Sequence, residues 1–103
     1  VVGGGRDTAA FVRRLGMERP ICEKIIAFTE DYLNGKVQRI SMEIDLPALV
    51  CVCFEEMRSE DEALADAIGS ELISNGADAG VFLDDAEFYA LIKEKLCIVK
   101  AVL

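Results

Sequence analysis

An alternation of apolar and polar residues in the middle of the chain constrains its fold more than any other feature. It runs through two stretches separated by Pro47. The apolar members of the alternation are Ile40, Met42, Ile44, Val50, Val52 and Phe54. A period of two places successive side chains on opposite faces of a β-strand. The sequence therefore predicts an antiparallel β-hairpin, roughly Val37–Asp45 paired with Val50–Glu55.

Helical patterns precede this central segment. A short first helix is expected from Asp7, a good capping residue, to Gly16. A longer second helix is expected to begin at Pro20, which suits a first turn, and to end at Asn34 before a glycine. Its apolar residues recur at helical spacing and are Ile21, Ile25, Phe28 and Tyr32.

Two further helices are predicted after the hairpin. The third is expected to begin near Glu60, because Ser59 and Glu62 have the spacing of a capping box. Its predicted buried stripe is Leu64, Ile68 and Leu72, and Asn75–Gly76 is expected to end it. The fourth is expected to begin at Asp84, where Glu87 completes the same pattern.

Two apolar segments near the C-terminus leave alternatives open. Val81–Leu83 fits either a short third strand or an irregular lead into the last helix. Cys97–Leu103 continues the helical spacing, but its β-branched residues also suit a terminal strand. The predicted fold class is α+β, with two N-terminal helices, a central antiparallel β-hairpin that a third strand would extend, and two C-terminal helices. We expect residues 1–103 to form one domain and the glycine-rich residues 1–5 to be flexible.

The chain is rich in apolar residues for its length. Hydrophobic residues make up 52% of its 103 residues before the eight glycines are counted, against about 45–50% in a typical domain with glycine included. A chain of this size buries only about two-thirds of its unfolded surface. We therefore expect self-association, most simply as a homodimer. The candidate interfaces are the open edge of the hairpin and the apolar tail Cys97–Leu103.

Acidic residues are concentrated in the second part of the chain. The net charge is −8, and residues 41–103 hold fourteen acidic side chains against four basic ones. The predicted partner-binding residues are Glu55, Glu56, Glu60, Asp61 and Asp66. They would present an acidic face to a basic protein partner, although helix capping and ordinary solvation explain the same residues. The net charge argues against direct binding of nucleic acid or of an anionic membrane.

The residue types restrict the chemistry of the chain. It has no histidine, which excludes Ser/His triads, Cys/His dyads and histidine-ligated metals. Cysteines 22, 51, 53 and 97 lie within apolar segments, so we expect reduced core thiols and a cytoplasmic protein. The chain contains no run of eighteen apolar residues, so no membrane span is predicted. We assign no catalytic residue, no metal site and no cofactor.

The predicted hairpin also suggests a kind of protein. Val37–Asp45 followed by Val50–Glu56 resembles the acidic hairpin of small phage and prophage accessory proteins of unassigned role. The resemblance implies a protein that works by binding another protein. We therefore predict a self-associating, acidic interaction module of the accessory or inhibitor type. Two alternatives are a small enzyme with paired carboxylates and a divalent ion, and a nucleic-acid mimic that occupies a basic cleft.

Overall fold

Residues 19–103, which the computed structural model of the chain describes, fold into helices and contain no β-strand. Four α-helices follow one another along the chain. They are α1 (Pro20–Leu33), α2 (Leu46–Glu60), α3 (Glu62–Ala67) and α4 (Asp85–Lys100). The predicted α+β class is therefore wrong for this part of the chain. The predicted first helix, from Asp7 to Gly16, and the glycine-rich start lie outside the described residues.

Two π-helical segments extend these helices. The leading π turn, Ser41–Asp45, runs directly into α2, and the long π segment, Ile68–Asp78, continues α3. Pro47 lies in the first turn of α2 and lacks the N–H that an α-helix would bond back to Glu43. The wider π turn comes directly before this missing hydrogen bond.

The predicted hairpin is thus one continuous helical stretch. Its buried residues follow helical spacing, with Met42, Leu46, Val50 and Met57 all facing the core. The alternation arises because apolar side chains occupy the outer side of the same helix as well as the inner side. The pairing of Val37–Asp45 with Val50–Glu55 is therefore wrong, and the chain has no hairpin edge at this place.

The helices on either side of this stretch match the sequence patterns more closely. The second predicted helix is confirmed as α1, which begins at Pro20 and is followed by Gly35 at φ +81°. The capping box of α4 is also confirmed: the N–H of Glu87 donates to Asp84 Oδ1 at 2.8 Å. Both signals act over a few residues along the chain.

The third predicted helix is confirmed in its buried stripe but not at its ends. Asp61 caps α3 by accepting a hydrogen bond from the N–H of Leu64 at 3.1 Å. Ser59 instead donates to the carbonyl of Glu55 within α2, so the predicted Ser59 cap is wrong. The Asn–Gly pair at 75 and 76 does not end the helix either, because the long π segment continues to Asp78.

The two ambiguous C-terminal segments are not strands. Val81–Leu83 belongs to the turn between the long π segment and α4, and residues 97–100 continue α4. One hydrophobic core joins the elements: α1 packs against α2, and α4 packs mainly against the long π segment. Phe88 and Ile92 of α4 and Ile25 of α1 are fully buried in this core.

Candidate functional site

The outer side of α2 and of its leading π turn carries a line of exposed apolar residues. Val52 is 80% exposed, Ile44 is 59% exposed and Ile40 is 52% exposed. Ala48, also exposed, lies between them in the sequence. These four residues, spaced by four, are named here the apolar face of α2. Leu49 and Cys51 beside them are exposed as well.

The leading π turn helps to keep this face on one side of the helix. In an α-helix, residues four apart are rotated by about 40° from one another, so a long line of them winds around the axis. A π turn, whose hydrogen bonds reach five residues back, rotates less per residue. The π turn Ser41–Asp45 therefore offsets part of the drift between Ile40 and the later members of the face.

The part of this face that lies within α2 carries no charge. The nine residues between Asp45 and Glu55 include no acidic or basic side chain. The outer side of a surface helix normally carries charged and polar residues, and contiguous exposed apolar area marks interaction sites. The face extends over about 18 Å along the helix, from the rise of about 1.5 Å per residue.

A turn that is hydrogen-bonded to Arg39 lies next to the start of the apolar face. The guanidinium of Arg39 donates to the carbonyl of Leu83 at 2.7 Å and to those of Gly80 and Val81 at 3.3 Å. This turn carries Phe82, which is 96% exposed. The segment Val81–Leu83, for which the sequence left a strand or an irregular lead-in open, is this turn.

Arg39 is itself held by both neighbouring elements. It forms ion pairs with Glu43 at 2.7 Å and with Asp85 at 2.8 Å, and it stacks 4.3 Å from the ring centre of Phe88. Desolvation lowers the pKa of Arg39, but the hydrogen bonds to Asp85 and Glu43 more than offset this and raise its pKa above the usual value. The charge that fixes the turn is therefore permanent.

Of the five predicted acidic residues, Glu60 has a structural role. Its carboxylate accepts hydrogen bonds from the N–H groups of Ile21 at 2.9 Å and Cys22 at 3.0 Å, and so caps α1 from another helix. The thiol of Cys22 points at the carbonyl of Met57. Burial, and then the nearby Glu60 carboxylate, raise the pKa of Cys22 to about 12, so this thiol stays protonated.

Two more of the predicted acidic residues are also engaged within the chain. Asp61 forms an ion pair with Arg19 at 2.7 Å and caps α3. Asp66 pairs with Arg58 at 3.1 Å, and the same arginine binds Glu62. These carboxylates are already neutralised by partners in the fold, which leaves less charge for a basic protein.

The remaining two predicted residues point into solvent. Glu55 and Glu56 are exposed, and neither carboxylate forms an ion pair within residues 19–103. They lie at the end of the apolar face, because Glu56 follows Val52 by four positions. The structure thus brings two free carboxylates, not five, next to the exposed apolar residues.

An enzyme needs a cleft for its substrate, and a groove of about 510 Å³ lies between α1 and α4. Its lining includes Glu30 and Asp31, but Glu30 is ion-paired with Lys100. The hydroxyl of Tyr89 donates to the carbonyl of Leu33 at 3.0 Å. Within residues 19–103, no three acidic or cysteine side chains are grouped so that they could hold a metal ion.

The cysteines are less uniform than the sequence suggests. All four are free thiols, and only Cys22 is buried. Cys51 and Cys97 are exposed, so the expectation of core thiols is wrong for them. Cys51 lies beside the apolar face, whereas Cys97 lies on α4.

Comparisons with known proteins give no family for this chain. No protein-family model matches it, and searches of curated proteins and of solved structures found no match. The hairpin that carried the resemblance to phage accessory proteins is helical, so that resemblance supports no argument about the site. None of the helices in residues 19–103 is both long enough and apolar enough to cross a membrane.

Proposed function

We propose that the chain is a cytoplasmic protein-binding module of the accessory or inhibitor type, and that it associates with a second copy through the apolar face of α2. The observation that carries the proposal is the exposure of Ile40, Ile44 and Val52, each more than half exposed on one side of a helix. Water contact at these side chains is unfavourable by about 25 cal/mol per Å² of apolar area. A covering protein removes that cost.

Charge determines where a second copy can cover the chain. A chain of net charge −8 repels its own copies, so two of them approach with least repulsion where neither carries charge. The stretch between Asp45 and Glu55 meets this condition. A closed two-fold arrangement also uses the same patch twice.

The size of the face sets the expected strength of association. A face about 18 Å long and about 10 Å wide, one helix across, is much smaller than the roughly 800 Å² that each partner contributes to a standard interface. We therefore expect a reversible dimer, which dissociates on dilution. The exposed Phe82 turn and the tail residues Val102 and Leu103 are further apolar surface near the ends of the helices.

The two free carboxylates extend the proposal to a basic partner. Glu55 and Glu56 stay open to solvent at the end of the face, and they would attract a basic surface to the dimer. Glu60, Asp61 and Asp66 contribute to the negative potential of this region, although their carboxylates are bonded within the chain.

Two matched substitutions test the role of α2. Val52→Glu places a charge in the apolar face, and Ile98→Glu places the same charge at an exposed apolar position on α4. We expect Val52→Glu to abolish dimer formation over micromolar to millimolar protein in sedimentation equilibrium, and Ile98→Glu to leave it unchanged. In dilute, monomeric protein, both variants should keep a thermal midpoint close to that of the parent, because both side chains are exposed in the monomer.

If Ile98→Glu abolishes dimer formation and Val52→Glu leaves it unchanged, the interface lies at the C-terminal tail and not at α2. A parent protein that stays monomeric at millimolar concentration would end the proposal of self-association altogether.

A further inference from the structure

The two ends of the apolar face carry opposite charges. Lys36 lies in the loop that leads to Ile40, and Glu56 lies one helical turn beyond Val52. Both side chains are exposed, and neither forms an ion pair with another residue of the described chain. The face is therefore preceded by a positive side chain and followed by a negative one, and within it the exposed Asp45 lies next to Ile44.

The spacing of the face is symmetric about Leu46. Ile40 and Val52 each lie six positions from it, and Ile44 and Ala48 each lie two positions from it. An antiparallel two-fold arrangement centred at this level sets Ile40 against Val52 of the second copy and Ile44 against Ala48. The same operation brings the loop that holds Lys36, just before the helix begins, to the end of the face at which Glu56 of the second copy lies.

We infer that the second copy docks antiparallel along α2, with the two-fold axis at the level of Leu46 and with Lys36 of each copy facing Glu56 of the other. This inference rests on the proposed self-association. Charge distinguishes it from the parallel arrangement, which would set Lys36 against Lys36 and Glu56 against Glu56. Like charges that face each other across an interface select against that arrangement.

A charge swap tests the inference in the chain of 103 residues. Lys36→Glu and Glu56→Lys each create two like-charge contacts per dimer, and the double variant recreates two opposite-charge contacts in reversed order. Each single variant should raise the dissociation constant about threefold to tenfold at low salt, from the strength of exposed ion pairs. The double variant should return to within about twofold of the parent.

Control variants separate the register from the effect of net charge. Lys24→Glu on α1 and Glu94→Lys on α4 make the same charge changes at exposed positions away from the apolar face. They should change the dissociation constant by less than about twofold, and 0.5 M salt should reduce all differences between variants because it screens exposed charges.

The outcomes distinguish the inference from the proposal beneath it. If neither single substitution changes the dissociation constant, or if the double variant associates as weakly as the single variants, the antiparallel register is overturned while self-association stands. A parent chain that never associates would overturn both. Restoration by the double variant alone supports the pairing of Lys36 with Glu56.

Discussion

The two halves of α2 carry different kinds of side chain on their outer side. They also differ in whether those side chains form contacts with the rest of the fold. The first half, with its leading π turn, exposes Ile44 and Val52, which touch nothing on their outer side. The second half holds acidic side chains, and Glu60 and Asp61 at its end bind the neighbouring helices. Some of the closely spaced acidic residues thus form contacts within the fold, whereas the uncharged residues on the outside of the helix are exposed to solvent.

This contrast has a physical origin. Helix ends leave backbone N–H groups without partners, and a carboxylate satisfies them well. The end of α2 lies beside the beginnings of α1 and α3, so the acidic residues there are used as caps. The exposed apolar side chains of the first half, such as Ile44 and Val52, carry no group that could cap a helix end.

The largest effect should come from comparing the two sides of the first half. Leu46→Ala removes a fully buried side chain, and Val52→Ala shortens one that is 80% exposed. We expect Leu46→Ala to lower the free energy of unfolding by about 2–5 kcal/mol and Val52→Ala by less than about 0.5 kcal/mol. Urea titration of dilute, monomeric protein measures both. Equal losses would mean that Val52 is covered in the monomer.

A smaller effect is expected from the acidic residues of the second half. Glu60→Gln replaces the carboxylate that accepts from two N–H groups of α1, and Glu56→Gln makes the same change at an exposed position. The first should cost about 1–3 kcal/mol of unfolding free energy, and the second less than about 0.5 kcal/mol. A Glu56→Gln variant as unstable as Glu60→Gln would contradict the division of α2 into a free and an engaged half.

The smallest effect concerns thiol reactivity beside the apolar face. In a Cys53→Ser/Cys97→Ser variant, only Cys51 is an exposed thiol, and in Cys51→Ser/Cys53→Ser only Cys97 is. Raising the protein concentration into the dimer range should slow the reaction of Cys51 with an aromatic disulfide reagent a few-fold, because the second copy covers it. Cys97 should react at an unchanged rate. Slowing of both thiols to the same degree would indicate general aggregation.

Local signals in the sequence are sufficient for part of the fold. Pro20 and the glycine at 35 define α1, and the Asp84–Glu87 capping box defines the start of α4. The hairpin was predicted because apolar residues at 40, 42 and 44 fit a period of two, while the helical spacing of Met42, Leu46 and Val50 was present in the same segment. When both sides of a helix are apolar, periodicity alone does not separate helix from strand.

The site was harder to predict, because its decisive contacts join distant residues. Glu60 reaches the start of α1 across 38 and 39 positions, and Arg39 reaches the turn at 80–83 across more than forty. The sequence pattern around either residue does not indicate a contact over such a separation. The nine uncharged residues between Asp45 and Glu55 were the one signal in the sequence that marks the apolar face.

The Arg39 contacts have a consequence for which substitutions the chain tolerates. One planar guanidinium serves two carboxylates, three carbonyls and the face of Phe88 at once. A lysine at this position would keep the positive charge, but its single ammonium could neither fork between these acceptors nor stack on the ring. Lysine therefore cannot replace the arginine at position 39 without loss of most of these contacts.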